Sequence, residues 1–315
     1  MAFGVATAAR ASETPTADVM AYRTYDQRKG TIMTASPRIR LLISDVDGTL
    51  LTPEGELSPV NYVAIARLHQ AGVKFSLSSA RPPFGMTWLL RRLDIRCLCS
   101  GLNGAILFYA DGTATAEWEL DRSTVEDLVE HMQKRGLDVW LYTRDQWFVP
   151  RLSRPQVRQN AELLRADPVR YVTLSEVSAP ILKVSGMVCR PGELAACEAE
   201  LREQFAARAS VVLSPPHHID VTHPSADKGT AARAIALTEG AQIFEVATVG
   251  DSPADIPMFQ AGALSIAMGQ GGEEVRGSAM QTTRSNADNG LAWAIEFILS
   301  GKLPLTSVSE DGTNR

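Results

Sequence analysis

LISDVDGTLLT, residues 42–52, ends an apolar run with two carboxylates, Asp45 and Asp47, and follows them at once with Gly48 and Thr49. Leu41, Leu42 and Ile43 read as a buried strand that stops at the acids. Carboxylates beside a core are costly unless something compensates their charge, so the stretch calls for a partner such as a cation.

Outward from it, Ser58 and Pro59 stand where an N-cap and a first helical residue belong. Val63, Ala66 and Ala71 join Ile65 and Leu68 on the expected apolar face, and Gly72 stops the helix. VKFSLSSARP is a second strand running into a turn at Pro82, so the unit is β-α-β and its sheet parallel. After a third strand, IRCLCSG, the rhythm changes: residues 104–118 read as a hairpin turning at Asp111 and Gly112. Ser123 and Glu126 have the spacing of a capping box, opening a helix with Val125, Leu128, Val129 and Met132 on one face. DVWLYTRDQWFVP supplies two short strands, and residues 180–222 a strand, a helix and two more strands. Alternating α/β resumes at 228 with the helix KGTAARAIALTEG, the strand EVATVG, a helix from Pro253 to Ala261, the strand ALSIAMG and a last helix, LAWAIEFILSG.

A chain of 315 residues is long enough for two domains. The expected division is a disordered extension over 1–38, with Met20 or Met33 as alternative starts, an α/β core over 39–106 and 216–302, an α+β insert over 107–215, and a frayed tail over 303–315. With 45% hydrophobic and 21% charged residues the composition is that of a globular chain with a sizeable core. A net charge of −5 without a basic block argues against a nucleic-acid partner. No apolar run reaches the ~18 residues of a membrane helix, and the opening residues lack the basic start of a secretory signal. The expectation is a cytoplasmic monomer or homodimer. Cys97, Cys99, Cys189 and Cys197 lack paired metal-ligand spacing, and Cys97 and Cys99, two apart on a strand, read as small buried hydrophobes.

A second acidic segment, VATVGDSPADIPMF, ends an apolar strand at Gly250 and continues with Asp251 and Asp255. Ser252 and Pro253 mark a helix start, which turns Asp255 back toward the strand end. Two acids after one strand and two after another, in a parallel sheet, form a carboxylate cluster at its C-terminal edge, where open α/β sheets bind ligands. All-oxygen ligation suits Mg²⁺.

DVDGTLL (45–51), SSAR (78–81), SADKGTA (225–231) and GDSPADIPMF (250–259) resemble the four ordered motifs of the haloacid dehalogenase superfamily. LNGAIL (102–107), IAMGQ (266–270) and SNADNG (285–290) narrow the resemblance to its Cof-like small-molecule phosphatases. It spans residues 39–300 and is weak within the insert. The resemblance implies a Rossmann-like parallel core with an inserted cap domain. It also implies a Mg²⁺-dependent phosphatase acting on small phosphate esters, chiefly sugar phosphates.

Its implied roles make Asp45 the nucleophile that takes the phosphoryl group and Asp47 the acid and base serving leaving oxygen and water. Gly48 lets the chain turn past the site. Ser79, Lys228 and Gly48 bind the phosphate, while Asp45, the Asp47 carbonyl, Asp251 and Asp255 hold Mg²⁺. Arg81 is a substrate or cap contact or a structural ion pair, and Asn103 a possible substrate or cap contact. Ser252, Gln270 and Asn289 depart from the family's usual Asn, Asn and acid. Trp140, Tyr142 and Trp147 are either an aromatic wall for substrate or core of the insert. Two other readings stay open: a phosphomutase, and a non-catalytic phosphoester-binding or regulatory module.

Overall fold

The computed structural model describes residues 38–187, 194–214 and 218–301, and the backbone of two strands within the expected N-terminal extension. These, β1 (Arg23–Asp26) and β2 (Thr31–Thr34), pair antiparallel. The rest of the extension up to residue 37, residues 302–315 and Cys189 lie outside the described residues.

β3 (Leu41–Ser44) is buried along its whole length, as a run of apolar residues covered on both faces requires. The chain then bends at Gly48 and enters α1 (Pro59–Gln70), where Ser58 Oγ accepts the Asn61 N–H at 3.1 Å. Ala64, Ile65 and Leu68 face the core, whereas Val63, expected beside them, is 56% exposed. At ~100° per residue Val63 stands about 200° around the helix from Ile65, on the opposite side. The buried place one turn above Ile65 belongs to Asn61, whose Nδ2 donates to Leu50 O and whose Oδ1 accepts from Ala292 N.

β4 (Lys74–Leu77) and α2 (Pro83–Arg92) follow, then β5 (Cys99–Gly101), β6 (Ile106–Phe108) and β7 (Ala114–Glu117). These last three form an antiparallel sheet of their own, tied to the end of β4 by a parallel bridge between Ser78 and Ser100. The hairpin turns at Asp111 and Gly112 as expected: Gly112 has φ +90°, and Asp111 Oδ1 accepts from Thr113 N at 2.8 Å.

α3 (Arg122–Lys134) buries Val125, Leu128, Val129 and Met132, but no capping box starts it. The helix begins two residues early, with Asp121 at its N-cap, so Ser123 lies inside the first turn; Glu126 is engaged by Arg122 Nε instead. β8 (Asp138–Tyr142), β9 (Trp147–Val149), α4 (Pro155–Leu164), β10 (Val169–Arg170), β11 (Lys183–Met187), α5 (Leu194–Phe205), β12 (Ser210–Ser214) and β13 (His218–Thr222) follow. Their sheet has the order β10-β9-β8-β11-β13-β12. Hydrogen bonding thus departs from the expected 107–215 insert at both ends: β6 pairs with β5 before it and carries β7 on its other edge, and β13, beyond residue 215, pairs between β11 and β12.

The chain returns through α6 (Lys228–Thr238), β14 (Val246–Gly250), α7 (Ile256–Phe259), β15 (Leu264–Ala267), α8 (Glu273–Ser278), β16 (Gln281–Thr282) and α9 (Gly290–Leu299). The resulting sheet, β16-β15-β14-β3-β4, is parallel throughout. This is the α/β architecture read from the sequence. No helix among the described residues is long and apolar enough to cross a membrane.

Candidate active site

Three neighbouring strands deliver the site. Ser44 stands opposite Leu77 of β4 and Val249 of β14, so Asp45, the Ser78–Arg81 turn and Asp251 leave the sheet side by side at its C-terminal edge. Asp45 N–H donates to Val249 O at 2.9 Å, pinning the first acid against β14. Opposite the strand ends, Asp227 caps α6 by accepting from Gly229 N and Thr230 N, which sets Lys228 at the first helical position.

Lys228 Nζ lies 2.8 Å from Asp45 Oδ1 and 2.7 Å from Asp255 Oδ1, with all three residues buried. Asp255 Oδ2 accepts from Asp251 N, Ser252 N and Ser252 Oγ. Thr49 Oγ1 donates to Asp251 Oδ1 at 2.8 Å. Asp45, Asp251 and Asp255 each turn one oxygen into a space where these atoms lie within 4.8 Å of one another. Burial and then the Asp255 charge push the Asp45 carboxyl well above its usual range, against the pull of Lys228. Burial, with Asp255 next, pushes Asp251 up to about 7. At Lys228 burial works the other way, yet Asp255 and Asp45 outweigh it and hold the ammonium protonated.

The predicted residues divide into two groups. Asp45, Asp251, Asp255 and Lys228 converge, and Gly48 lies against them: with φ +78° it takes the left-handed turn, and a Cβ there would collide with the Asp251 carboxylate. The Asp47 side chain points elsewhere, its Oδ2 and Oδ1 gripped by Arg81 Nε and Nη2 at 2.7 and 2.6 Å. Ser79 Oγ accepts from Arg81 N at 3.1 Å, and Ser79 O accepts from Asn103 N at 3.0 Å. Asn103 holds a left-handed backbone, and its Nδ2 donates to Asp220 Oδ2 at 3.2 Å.

Sequence reading passed over Lys183 and Asp220. Lys183 Nζ donates to Ala80 O at 3.0 Å and to Asp220 Oδ2 at 3.1 Å, and sits 4.5 Å from the Tyr142 ring centre. The available signal was a Lys and an Asp inside otherwise apolar strands, which are seldom buried without a partner. The three aromatic residues are core: Trp140, Tyr142 and Trp147 are buried and packed together, Trp140 edge-on to Trp147 at 5.4 Å. Cys97 and Cys99 are also buried, which pushes their thiols up to about 12 and about 11.

The three departures hold the loops in place. Ser252 braces Asp255 as described; Gln270 Nε2 donates to Gly48 O at 2.6 Å and its Oε1 accepts from Asn286 N; Asn289, left-handed at φ 56°, accepts from Ser58 Oγ at 2.6 Å.

A divalent cation fits the donor set. Three carboxylates meet one ammonium, the oxygens are hard, and Arg81 is committed to Asp47 rather than to the cluster.

The family model of haloacid dehalogenase-like hydrolases matches residues 42–295. A 5-amino-6-(5-phospho-D-ribitylamino)uracil phosphatase of Bacillus subtilis is 23% identical over 288 residues, covering 84% of this chain and 99% of its own. A haloacid dehalogenase-like hydrolase from Bacteroides thetaiotaomicron superposes with a TM-score of 0.74 at 24% identity, over 83% of this chain and 100% of that one. A subclass IIB sugar phosphatase superposes with a TM-score of 0.72 at 21% identity, over 82% and 98%.

Proposed function

The chain belongs to the haloacid dehalogenase-like hydrolases, and on that premise we propose that it is a Mg²⁺-dependent phosphatase of small phosphorylated metabolites, with sugar phosphates as its substrate class. The observation that carries the reading is Asp45: a buried carboxylate at a strand end, with Lys228 on Oδ1 and two further carboxylates within reach of a shared cation.

Asp45 attacks phosphorus, forming an O–P bond as the bond to the leaving oxygen breaks. Asp47 gives that oxygen its proton. Water then attacks the aspartyl-phosphate, surrendering a proton to Asp47, and the Asp45–phosphorus bond breaks to release inorganic phosphate. Lys228 and Ser79 serve the non-bridging oxygens, whose charge must be balanced for in-line transfer. Asp45, Asp251, Asp255 and the Asp47 carbonyl would hold Mg²⁺, which when bound would supply the positive charge an anionic nucleophile needs to meet an anionic ester.

The six-stranded unit acts as a lid that excludes water. Its contacts with the strand-end turns support this: Arg81 to Leu163 O, Lys183 to Ala80 O, and Asn103 to Asp220. The substrate class is supported by the relatives named for a phosphorylated ribityl compound and for sugar phosphates.

A phosphate-release screen over sugar phosphates, nucleotides and phosphorylated cofactors, with and without Mg²⁺, tests the proposal. Turnover is expected to be strongest on a sugar phosphate and lost on chelation. Asp45→Asn is expected to abolish turnover with its thermal melt retained; near wild-type rates in that variant would refute the mechanism.

A further inference from the structure

Arg81 is buried to 3% exposure, and its planar fork is shared between two bodies. One edge, Nε and Nη2, grips both oxygens of Asp47. The remaining nitrogen, Nη1, donates to Leu163 O at 2.9 Å, in the last turn of α4, and to Gly85 O at 3.3 Å in α2. A guanidinium is rigid, so a shift of one edge turns the other. A carboxyl has about four lone-pair positions, and a two-pronged grip leaves the outward one on each oxygen for a proton.

The next two residues of the chain complete the seat of α4 on α2. Leu164 packs over Gly85 so closely that a Cβ there would stand 2.8 Å from Leu164 Cδ2. Arg165, left-handed at φ 55°, lays its guanidinium 3.9 Å above the Trp88 ring. Residues 164 and 165 thus dock on α2, while Leu163 holds Arg81, just ahead of that helix, by the nitrogen next to the pair on Asp47.

We infer that Arg81 is a positioning residue that couples the seating of α4 to the orientation of Asp47. With α4 docked the fork is fixed and Asp47 is held where it serves the leaving oxygen. With α4 lifted, Nη1 loses the Leu163 carbonyl and the grip on Asp47 loosens. This rests on the reading of Asp47 as proton donor.

The test varies the leaving group. An aryl oxide departs without a proton, whereas a sugar alkoxide needs one, so a misplaced proton donor penalises the two esters unequally. kcat/KM reports every step through departure of that group. Arg81→Gln is expected to lower kcat/KM about 100-fold on the best sugar phosphate of the screen, within the usual range for general-acid assistance, and less than about fivefold on p-nitrophenyl phosphate. Gly85→Ala adds a methyl under Leu164, against the seat of α4, and removes no catalytic group. It is expected to lower the same ratio about tenfold, and the double variant to be no worse than Arg81→Gln alone.

Equal losses on both esters would make Arg81 a phosphate contact and overturn the inference, as would losses that multiply in the double variant. Should Arg81→Gln fail to fold, the leaving-group ratio of Gly85→Ala decides by itself. Wild-type inactivity on every ester, or activity retained in Asp45→Asn, would instead fail the phosphatase reading, and the coupling with it.

Discussion

Gly48 stands between two demands that no other residue meets together. The chain must reverse directly after Asp47, which takes φ to +78°, and the Asp251 carboxylate occupies the space a Cβ would fill. Gly48→Ala therefore adds backbone strain of about 1 kcal/mol and pushes aside the Asp251 carboxylate, proposed above to hold Mg²⁺. Displacing groups around a metal typically costs 10–100-fold in affinity. The Mg²⁺ concentration for half-maximal phosphate release is expected to rise by about that factor, and an unchanged Mg²⁺ titration would show that Asp251 does not hold the ion. At this scale the legible residues were those whose position follows from chain-local rules. Asp45 and Asp251 follow apolar strands, Asp255 and Lys228 sit at helix starts, and Gly48 is the only residue free to turn there. An ion pair was one of the readings open for Arg81, but its partner Asp47 was not legible, because residues 34 apart meet only through the geometry of two loops.

Among the elements, α1 shows how a local cap and a distant contact share one side chain. Ser58 Oγ accepts from Asn61 N and donates to Asn289 Oδ1, joining the start of α1 to the start of α9. Ser58→Ala removes both bonds. The cap alone is worth about 1 kcal/mol, so the unfolding free energy from urea titration is expected to fall by that amount or somewhat more, with a lower midpoint and phosphate release unchanged. An unaltered midpoint would mean water replaces the hydroxyl at no cost. The Ser-Pro signature made this helix readable. α4 gave a weaker signal: Pro155 at its first turn is its one clear marker, and only Val157 and Leu164 are buried. The same weakness explains the edges of the insert. β6 pairs with β5 and β13 with β11 and β12, and strand partners are chosen by packing that periodicity along one segment does not encode.

Over the whole molecule, the two sheet systems are joined by charges that neither holds alone. Lys183 on β11 reaches Ala80 O beside the β4 turn, and Asp220 on β13 accepts from Lys183, Ser185 and Asn103. Burial raises the Asp220 carboxyl, but the charges of Lys183 and His218 and the bonds from Ser185 and Lys183 prevail and leave it below the usual carboxylate range. A carboxyl depressed on folding stabilises the folded state above its unfolded value, near 3.9, and that contribution fades as pH falls through the lower, folded value. Asp220→Asn leaves the buried Lys183 ammonium without its counter-charge, a change that costs about 3–5 kcal/mol at neutral pH. Urea unfolding of wild type and variant is expected to differ by a constant amount from about pH 7 to about pH 5, and the gap to close as pH drops below about 4. Because Ala80 and Asn103 flank the Ser79 turn, the variant is also expected to loosen the six-stranded unit there and raise proteolysis between residues 118 and 222 under native conditions. A stability gap independent of pH down to the acid transition would assign its effect to packing alone, and would remove Asp220 from the electrostatic join between the two sheets.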